Sequence, residues 1–275
     1  MKKAMTAICC FDIVFLFLLS LAGSIDGIFG DIIYYLAFIV PIFLAFIYLR
    51  SNKSEDSAPT LLKVLPDGKS LKFTLPLIAP FIFIIMSVSF LIALLLTKLG
   101  FSDTTDLSGN IFAVTIKHAL LPAFFEEALF RFVPLMLLIP YSKKNALALS
   151  SVMFAAVHCS LFQIPYALLA SFMLSLLALA TGSIFPCILV HFLNNLVSII
   201  FTRYSSVSGF YLVFFLILST LSVISVALIV FRRRKYAQVF YELQEDKCHV
   251  EFTLSTVMFV AMALVIGVLN LWTSL

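Results

Sequence analysis

Runs of apolar residues dominate this chain, and their length, more than their periodicity, predicts its elements. A helix needs roughly 17 to 25 apolar residues to cross a bilayer. Runs of that order lie near 6–23, 32–49, 73–97, 111–139, 145–162, 166–181, 185–202, 208–231 and 253–272. Only helices and closed barrels satisfy their backbone polar groups in lipid, and these runs are too long for barrel strands. The expected fold class is therefore all-α, a polytopic transmembrane helix bundle of about 8–9 spans. Two polar stretches interrupt the pattern, RSNKSEDSAPTLLKVLPDGKSLK at 50–72 and RRRKYAQVFYELQEDKCHVE at 232–251. Neither resembles a binding module, and no internal repeat is visible. Residues 1–275 read as a single integral membrane domain.

Composition agrees with the pattern. Hydrophobic residues make up 63% of the chain and charged ones 12%, and the mean hydropathy is +1.14, more than a soluble core of this size could bury. The net charge of +4 implies no nucleic-acid partner, because the Lys and Arg residues gather in the loops. With the N-terminus in the cytoplasm, Lys2, Lys3, the 50–72 loop, Lys143, Lys144 and the 232–251 loop collect 14 of the 18 Lys and Arg, and only Lys98 and Arg203 fall outside. The positive-inside rule favours that orientation, which leaves the C-terminus outside. MKKAMTAICCFDIVFLFLLS begins like a signal peptide, but no clear small-residue cleavage site follows, so it is read as a retained first helix. The cysteines (Cys9, Cys10, Cys159, Cys187 and Cys248) form no CxxC pair and indicate neither a disulfide framework nor a zinc ribbon.

Most of the ionisable residues left inside spans fall in three places. AFFEEALFRF holds Glu126, Glu127 and Arg131. A charge at mid-bilayer costs at least ~2.5 kcal/mol, so such residues turn towards a bundle interior or a wet cavity. At about 100° per residue, Glu127 and Arg131 lie only about 40° apart and should pair, whereas Glu126 and Arg131 are about 140° apart. Glu126 is left on another face, available as a base. FAAVH adds His158 four residues after Phe154, and HFLNN adds His191 and Asn195 on one face of the seventh span. Alone, each place is equally a packing feature. Together they supply a base, two imidazoles and hydrogen-bond donors for an oxyanion, the parts that hydrolyse an amide with water.

These motifs resemble the CAAX-protease and bacteriocin-processing family of intramembrane proteases, which includes the type II CAAX prenyl endopeptidases. The family pattern EExxxR, FxxxH and HxxxN reads here as EEALFR, FAAVH and HFLNN, with the family-like lead-in TGSIFP before the last. The resemblance covers about residues 111–202, which would be the catalytic core; 1–110 and 203–275 would supply additional membrane helices. Phe132 departs from it, since many members place Gly after the Arg. The resemblance implies a protease in which Glu126 and His158 activate water, His191 and Asn195 stabilise the tetrahedral intermediate, and Glu127 and Arg131 support the site. It favours a glutamate mechanism with no cofactor, although one Glu and two His are also a zinc ligand set.

The expected activity is endopeptidase cleavage of a membrane-associated peptide or protein, lipidated or not, within the bilayer. The alternative is a non-catalytic immunity or scaffold factor, or an ion- or proton-coupled transporter. The plasma membrane of a bacterium is the expected location. At ~1.5 Å per residue, Glu126 lies about 21 Å from the inner end of its span and His158 about 20 Å, while His191 comes out only ~9 Å deep. The cut is expected near the cytoplasmic half. Lys117 and His118 are read as snorkelling to headgroups, Asp12 as a packing contact, and the 232–235 RRRK run as an anchor on anionic lipid.

Overall fold

The computed structural model describes residues 1–51, 62–64, 68–101, 107, 109–231 and 233–272. Parts of the 50–72 loop (52–61 and 65–67) and Arg232 of the basic run lie outside the described residues. The chain is helical throughout its described spans: α1 (Lys2–Gly23), α2 (Ile28–Ser51), α3 (Gly68–Lys98), a composite α4 running from Ile111 to Leu138, α5 (Lys143–Val157), α6 (Ile164–Thr181), α7 (Phe185–Tyr204), α8 (Phe210–Phe231), α9 (Arg233–Glu245) and α10 (Leu254–Trp272). Every expected span has a helix at its place. Six of them (α1, α2, α3, α6, α7 and α8) are long and apolar enough to cross a membrane. Of the other three, α4 is interrupted by two π turns, α5 has 15 residues, and the apolar part of α10 is Leu254–Asn270. The chain is an all-helical, polytopic membrane bundle.

Two differences from the sequence expectation have local causes. The fifth span ends at Val157 rather than 162, because His158 caps it and Cys159 takes a positive φ of 47° that ends the helix. The 232–251 stretch, read as a polar loop, forms α9 over 13 residues. It is tied to the start of α5 by Lys143 Nζ on Glu242 Oε2 at 2.8 Å.

The two ends of the bundle are each cross-linked. On the face carrying the basic loops, Asp246 caps the N-terminus of α5, accepting from the Ser142 hydroxyl at 2.8 Å and the Lys144 amide at 3.1 Å, and Lys144 Nζ also donates to the Asp246 carbonyl. Asn145 continues this clasp to the His249 carbonyl at 2.9 Å. On the opposite face, Arg203 donates to the Gly109 carbonyl at 2.9 Å, Asn270 to the Cys159 carbonyl at 3.0 Å, and Lys117 reaches Asp31 at 3.5 Å. The buried apolar core joins α1, α2, α3, α4, α5, α6 and α7. Phe15 meets Phe38 at 4.8 Å and Phe130 at 5.0 Å between ring centroids, which seats α1 and α2 against α4.

The α6–α7 turn decides how deep the third motif lies. Thr181 is followed by Gly182, whose φ of 61° closes α6 with a left-handed residue that a Cβ would strain. The next two residues are covered by the 62–64 strip: the Lys63 amide donates to the Gly182 carbonyl at 2.8 Å and the Ile184 amide to the Lys63 carbonyl at 3.0 Å. Leu62, Ser183 and Ile184 are buried. The strip thus pairs with the turn and covers Ser183 and Ile184, while Gly182 and Lys63 stay exposed.

Candidate active site

The site begins with two prolines in α4. A proline has no N–H, and its ring crowds the carbonyl four residues earlier, so an α-helix must loosen there. Pro122 and Pro134 each follow a π segment, Ile116–Leu120 and Ala128–Phe132. Backbone amides Leu121 and Val133 reach back five residues, to the Ile116 and Ala128 carbonyls. The carbonyl that Pro134 leaves unbonded is that of Phe130. It accepts from the Ser150 hydroxyl at 2.7 Å.

Arg131 lies in the second π segment, fully buried, and Glu127 is equally buried. Arg131 Nε donates to Glu127 Oε2 at 2.7 Å and Nη2 to Oε1 at 3.1 Å, the fork-on-carboxylate contact that its four-residue spacing predicts. Nη1 is held by serines: Ser171 Oγ at 2.7 Å, Ser175 Oγ at 2.9 Å, the Ser171 carbonyl at 3.2 Å and Ser150 Oγ at 3.3 Å. The Phe154 ring lies 5.5 Å from the guanidinium. Sequence reasoning missed these three serines. Ser171 and Ser175 are one turn apart on α6, but serine in a membrane helix is ordinary interhelical glue and signals nothing by itself.

The pair is extended across helices by α7. His191 Nδ1 lies 2.9 Å from Glu127 Oε1. With the carboxylate accepting, Nδ1 carries the proton and the other ring nitrogen is turned outward. That nitrogen, Nε2, lies 3.8 Å from Glu126 Oε2, beyond a direct hydrogen bond but within reach of one shared water. Glu126 is on the other side of α4 from Arg131, with its side chain 20% exposed, against 9% for His191.

His158 is one helix away. Its Nδ1 lies 2.8 Å from the Phe154 carbonyl, which can only accept, so the proton is on Nδ1 and Nε2 keeps its lone pair. The Phe154 ring stands between the imidazoles, 4.9 Å from His158 and 5.9 Å from His191. Glu126, His158, His191 and Asn195 all line one cavity of about 600 Å³, but no direct hydrogen bond joins Glu126 to His158 among the described residues. Asn194, the neighbour of Asn195, also lines it. Its Oδ1 is buried without a hydrogen-bond partner, a detail sequence reasoning overlooked.

Among the described residues no three His, Cys, Asp or Glu side chains gather closely enough to hold a metal, while the Nδ1 bonds of His191 to Glu127 and of His158 to the Phe154 carbonyl leave each Nε2 free. No step below is routed through a metal.

The cavity has two unlike walls. Glu126, His118, Lys117, Asn195, Ser198 and Thr202 face Ile85, Met86, Phe90 and Ala93 of α3. Phe81, Phe154 and Leu174, all buried, also line it. One end reaches Leu107, Phe162 and Gln163, in the connections opposite the basic loops. Lys117, one of its lining residues at that end, pairs loosely with Asp31 and is 56% exposed.

Residues 108–197 match a family model described as Type II CAAX prenyl endopeptidase Rce1-like. This central segment is Rce1-like. The match spans α4 to most of α7 and takes in Glu126, Glu127, Arg131, His158, His191 and Asn195. It supports, at the level of the family, a CAAX-type intramembrane protease acting at the membrane. No curated protein and no solved structure matches the chain. The Rce1-like segment is also the part in which the buried charges converge.

Proposed function

We propose that this protein is an intramembrane endopeptidase that cleaves a membrane-associated peptide or protein with water activated by Glu126. The observation that carries the reading is the placement of Glu126: a part-exposed carboxylate on a cavity wall, 3.8 Å from an imidazole whose far side is anchored on a buried ion pair. Glu127 and Arg131 hold His191 in one orientation, as a carboxylate holds a catalytic histidine elsewhere. They are positioning residues.

In the proposed reaction a water beside Glu126 loses a proton to the carboxylate as its oxygen attacks the scissile carbonyl carbon. His158, with its Nε2 lone pair facing the cavity, holds that water. The tetrahedral oxyanion is stabilised by the Asn195 carboxamide and by His191 in its doubly protonated form, which donates from Nε2 while Nδ1–H stays on Glu127. Collapse breaks the C–N bond, and Glu126 returns its proton to the leaving amine; the carboxylic acid so formed passes its remaining proton to the amine, giving one carboxylate and one ammonium. The apolar α3 wall gives the hydrophobic part of a membrane-anchored substrate, lipidated or not, a surface beside this polar row. The reaction as proposed uses no cofactor.

The test is purified protein with candidate membrane peptides, comparing the wild type with Glu126→Gln, His158→Ala, His191→Ala and Asn195→Ala. Losing a general base costs on the order of 10²–10⁴-fold in rate, and Glu126→Gln keeps the shape and makes no buried vacancy. Cleavage by Glu126→Gln at the wild-type rate would refute the reading. Glu126-dependent proton flux in liposomes without any cleavage would favour a transporter.

A further inference from the structure

We propose that the polar wall of the active-site cavity, from Glu126 to Lys117 and His118, binds an extended peptide segment that carries a carboxylate about four residues from the bond cut. Lys117 and His118 take the carboxylate. That the occupant is a substrate of hydrolysis rests on the proteolytic reading above; the anion site itself does not.

Lys117 and His118 stand on the first π segment of α4, Ile116–Leu120, and such turns often mark functional positions in a helix. Sequence reading took both for side chains reaching headgroups, yet both line the cavity. Among the described residues the one ion pair of Lys117 is a single contact with Asp31 at 3.5 Å, with the two side chains 56% and 61% exposed, so its charge is barely spent. His118 makes no hydrogen bond among the described residues, and neither do the side chains of Asn195, Ser198 and Thr202. These three recur on one face of α7 and line the same wall. Hydroxyls on this bundle's helices commonly return to the carbonyl four residues back, as those of Thr74, Ser151, Thr181 and Ser222 do at 2.7–2.8 Å. Ser198 and Thr202 forgo that bond, which leaves their donors to a ligand. A row of unspent donors facing the apolar α3 wall suits an extended chain, whose backbone carbonyls meet one side and whose side chains meet the other.

Charge sets the register. Glu126 stands at the cut, where a substrate carboxylate would meet like charge. Lys117 is nine positions away along α4, about 13 Å at ~1.5 Å per residue. An extended chain covers that span in about four residues at ~3.3 Å each. A carboxylate arriving there accepts from the Lys117 ammonium and a His118 ring N–H, a charge-assisted pairing that a neutral amide cannot match. Asp31 is its competitor for Lys117. A chain terminus and an Asp or Glu side chain both supply that carboxylate.

Magnetic resonance of the full chain in detergent micelles, carrying Glu126→Gln so that nothing is cut, reads binding at His118 directly. The chain has four histidines, so the ring-labelled His118 signal is assigned by its loss in His118→Gln. Three probes are titrated: N-acetyl-Ala-Leu-Leu with a free carboxylate, the same tripeptide as its amide, and N-acetyl-Ala-Leu-Asp amide. The expected result is a saturable shift of His118 by the free acid, with His249 unmoved, and an affinity about threefold to tenfold above that of the amide. Lys117→Met removes this preference and Lys117→Arg keeps it. Asp31→Asn strengthens it, a gain that a purely structural Lys117–Asp31 pair would not give. Acid-like binding of the Asp peptide shows that a side-chain carboxylate serves, and amide-like binding assigns the site to a chain terminus. Equal binding of acid and amide, no shift with any probe, or a preference that survives Lys117→Met overturns the proposal. Cleavage assays on the protein with Glu126 intact, using longer peptides of the same kinds, then separate the two readings. Carboxylate-dependent binding with no peptide cut removes proteolysis and leaves the subsite, whereas cleavage indifferent to the carboxylate removes the subsite and leaves proteolysis.

Discussion

Replacing Arg131 by Met should cost this protein about 3–5 kcal/mol of stability, the usual penalty for stranding one member of a buried ion pair. The residue is wholly inaccessible, as is its partner Glu127. Six hydrogen bonds to four side chains and one carbonyl leave with it, two of them to the carboxylate. Methionine has nearly the length to fill the space, so the loss reflects charge and hydrogen bonding more than a cavity. What remains is a carboxylate with His191 as its main partner. The assay is equilibrium unfolding in mixed micelles, with Arg131→Met, Glu127→Gln and the double variant measured against wild type. The two single losses should exceed the double variant's by roughly 0.5–3 kcal/mol, since neighbouring residues in one network do not add. An Arg131→Met protein within 1 kcal/mol of wild type would refute the argument that this pair organises the core, as would strict additivity.

Ser150→Ala should cost about 1–3 kcal/mol, because the hydroxyl satisfies the Phe130 carbonyl that Pro134 leaves unbonded; the same unfolding titration reads it. The Asp246 carboxyl is pushed up by partial desolvation, yet the Lys144 amide, the Ser142 hydroxyl and the Cys248 amide outweigh that and hold it down at about 2. A depressed folded pKa stabilises above the unfolded value and is lost as pH falls through the folded one, so the α5 clasp should loosen between about pH 4 and pH 2. Hydrogen exchange at the Lys144 amide should speed up across that window in wild type and be fast throughout in Asp246→Asn. Gly30→Ala should destabilise the α1–α2 hairpin by about 1–3 kcal/mol, because a Cβ there would run into the Ile25 carbonyl; a thermal scan in detergent showing no loss would contradict it.

The legible part of the site was the part encoded locally. Glu127 and Arg131 are four residues apart on one helix, so helical geometry alone brings them together, and the π turn does not undo it. His158 and its Phe154 carbonyl are likewise one turn apart. The π segments themselves were foreshadowed only by Pro122 and Pro134, and a proline can be accommodated in several ways.

The order and length of the apolar runs were enough to establish an all-helical membrane bundle, because lipid leaves the backbone few alternatives. The motifs in that order were enough to single out six polar residues. The contact of His191 with Glu127, 64 positions away, was not available from the chain alone. It depends on how α7 is rotated and at what height it packs against α4, next to a 182–184 turn paired with residues 62–64. Periodicity reports which face of a helix is apolar, but the height of one helix against another is set by interhelical contacts, and those exist only once the bundle has assembled.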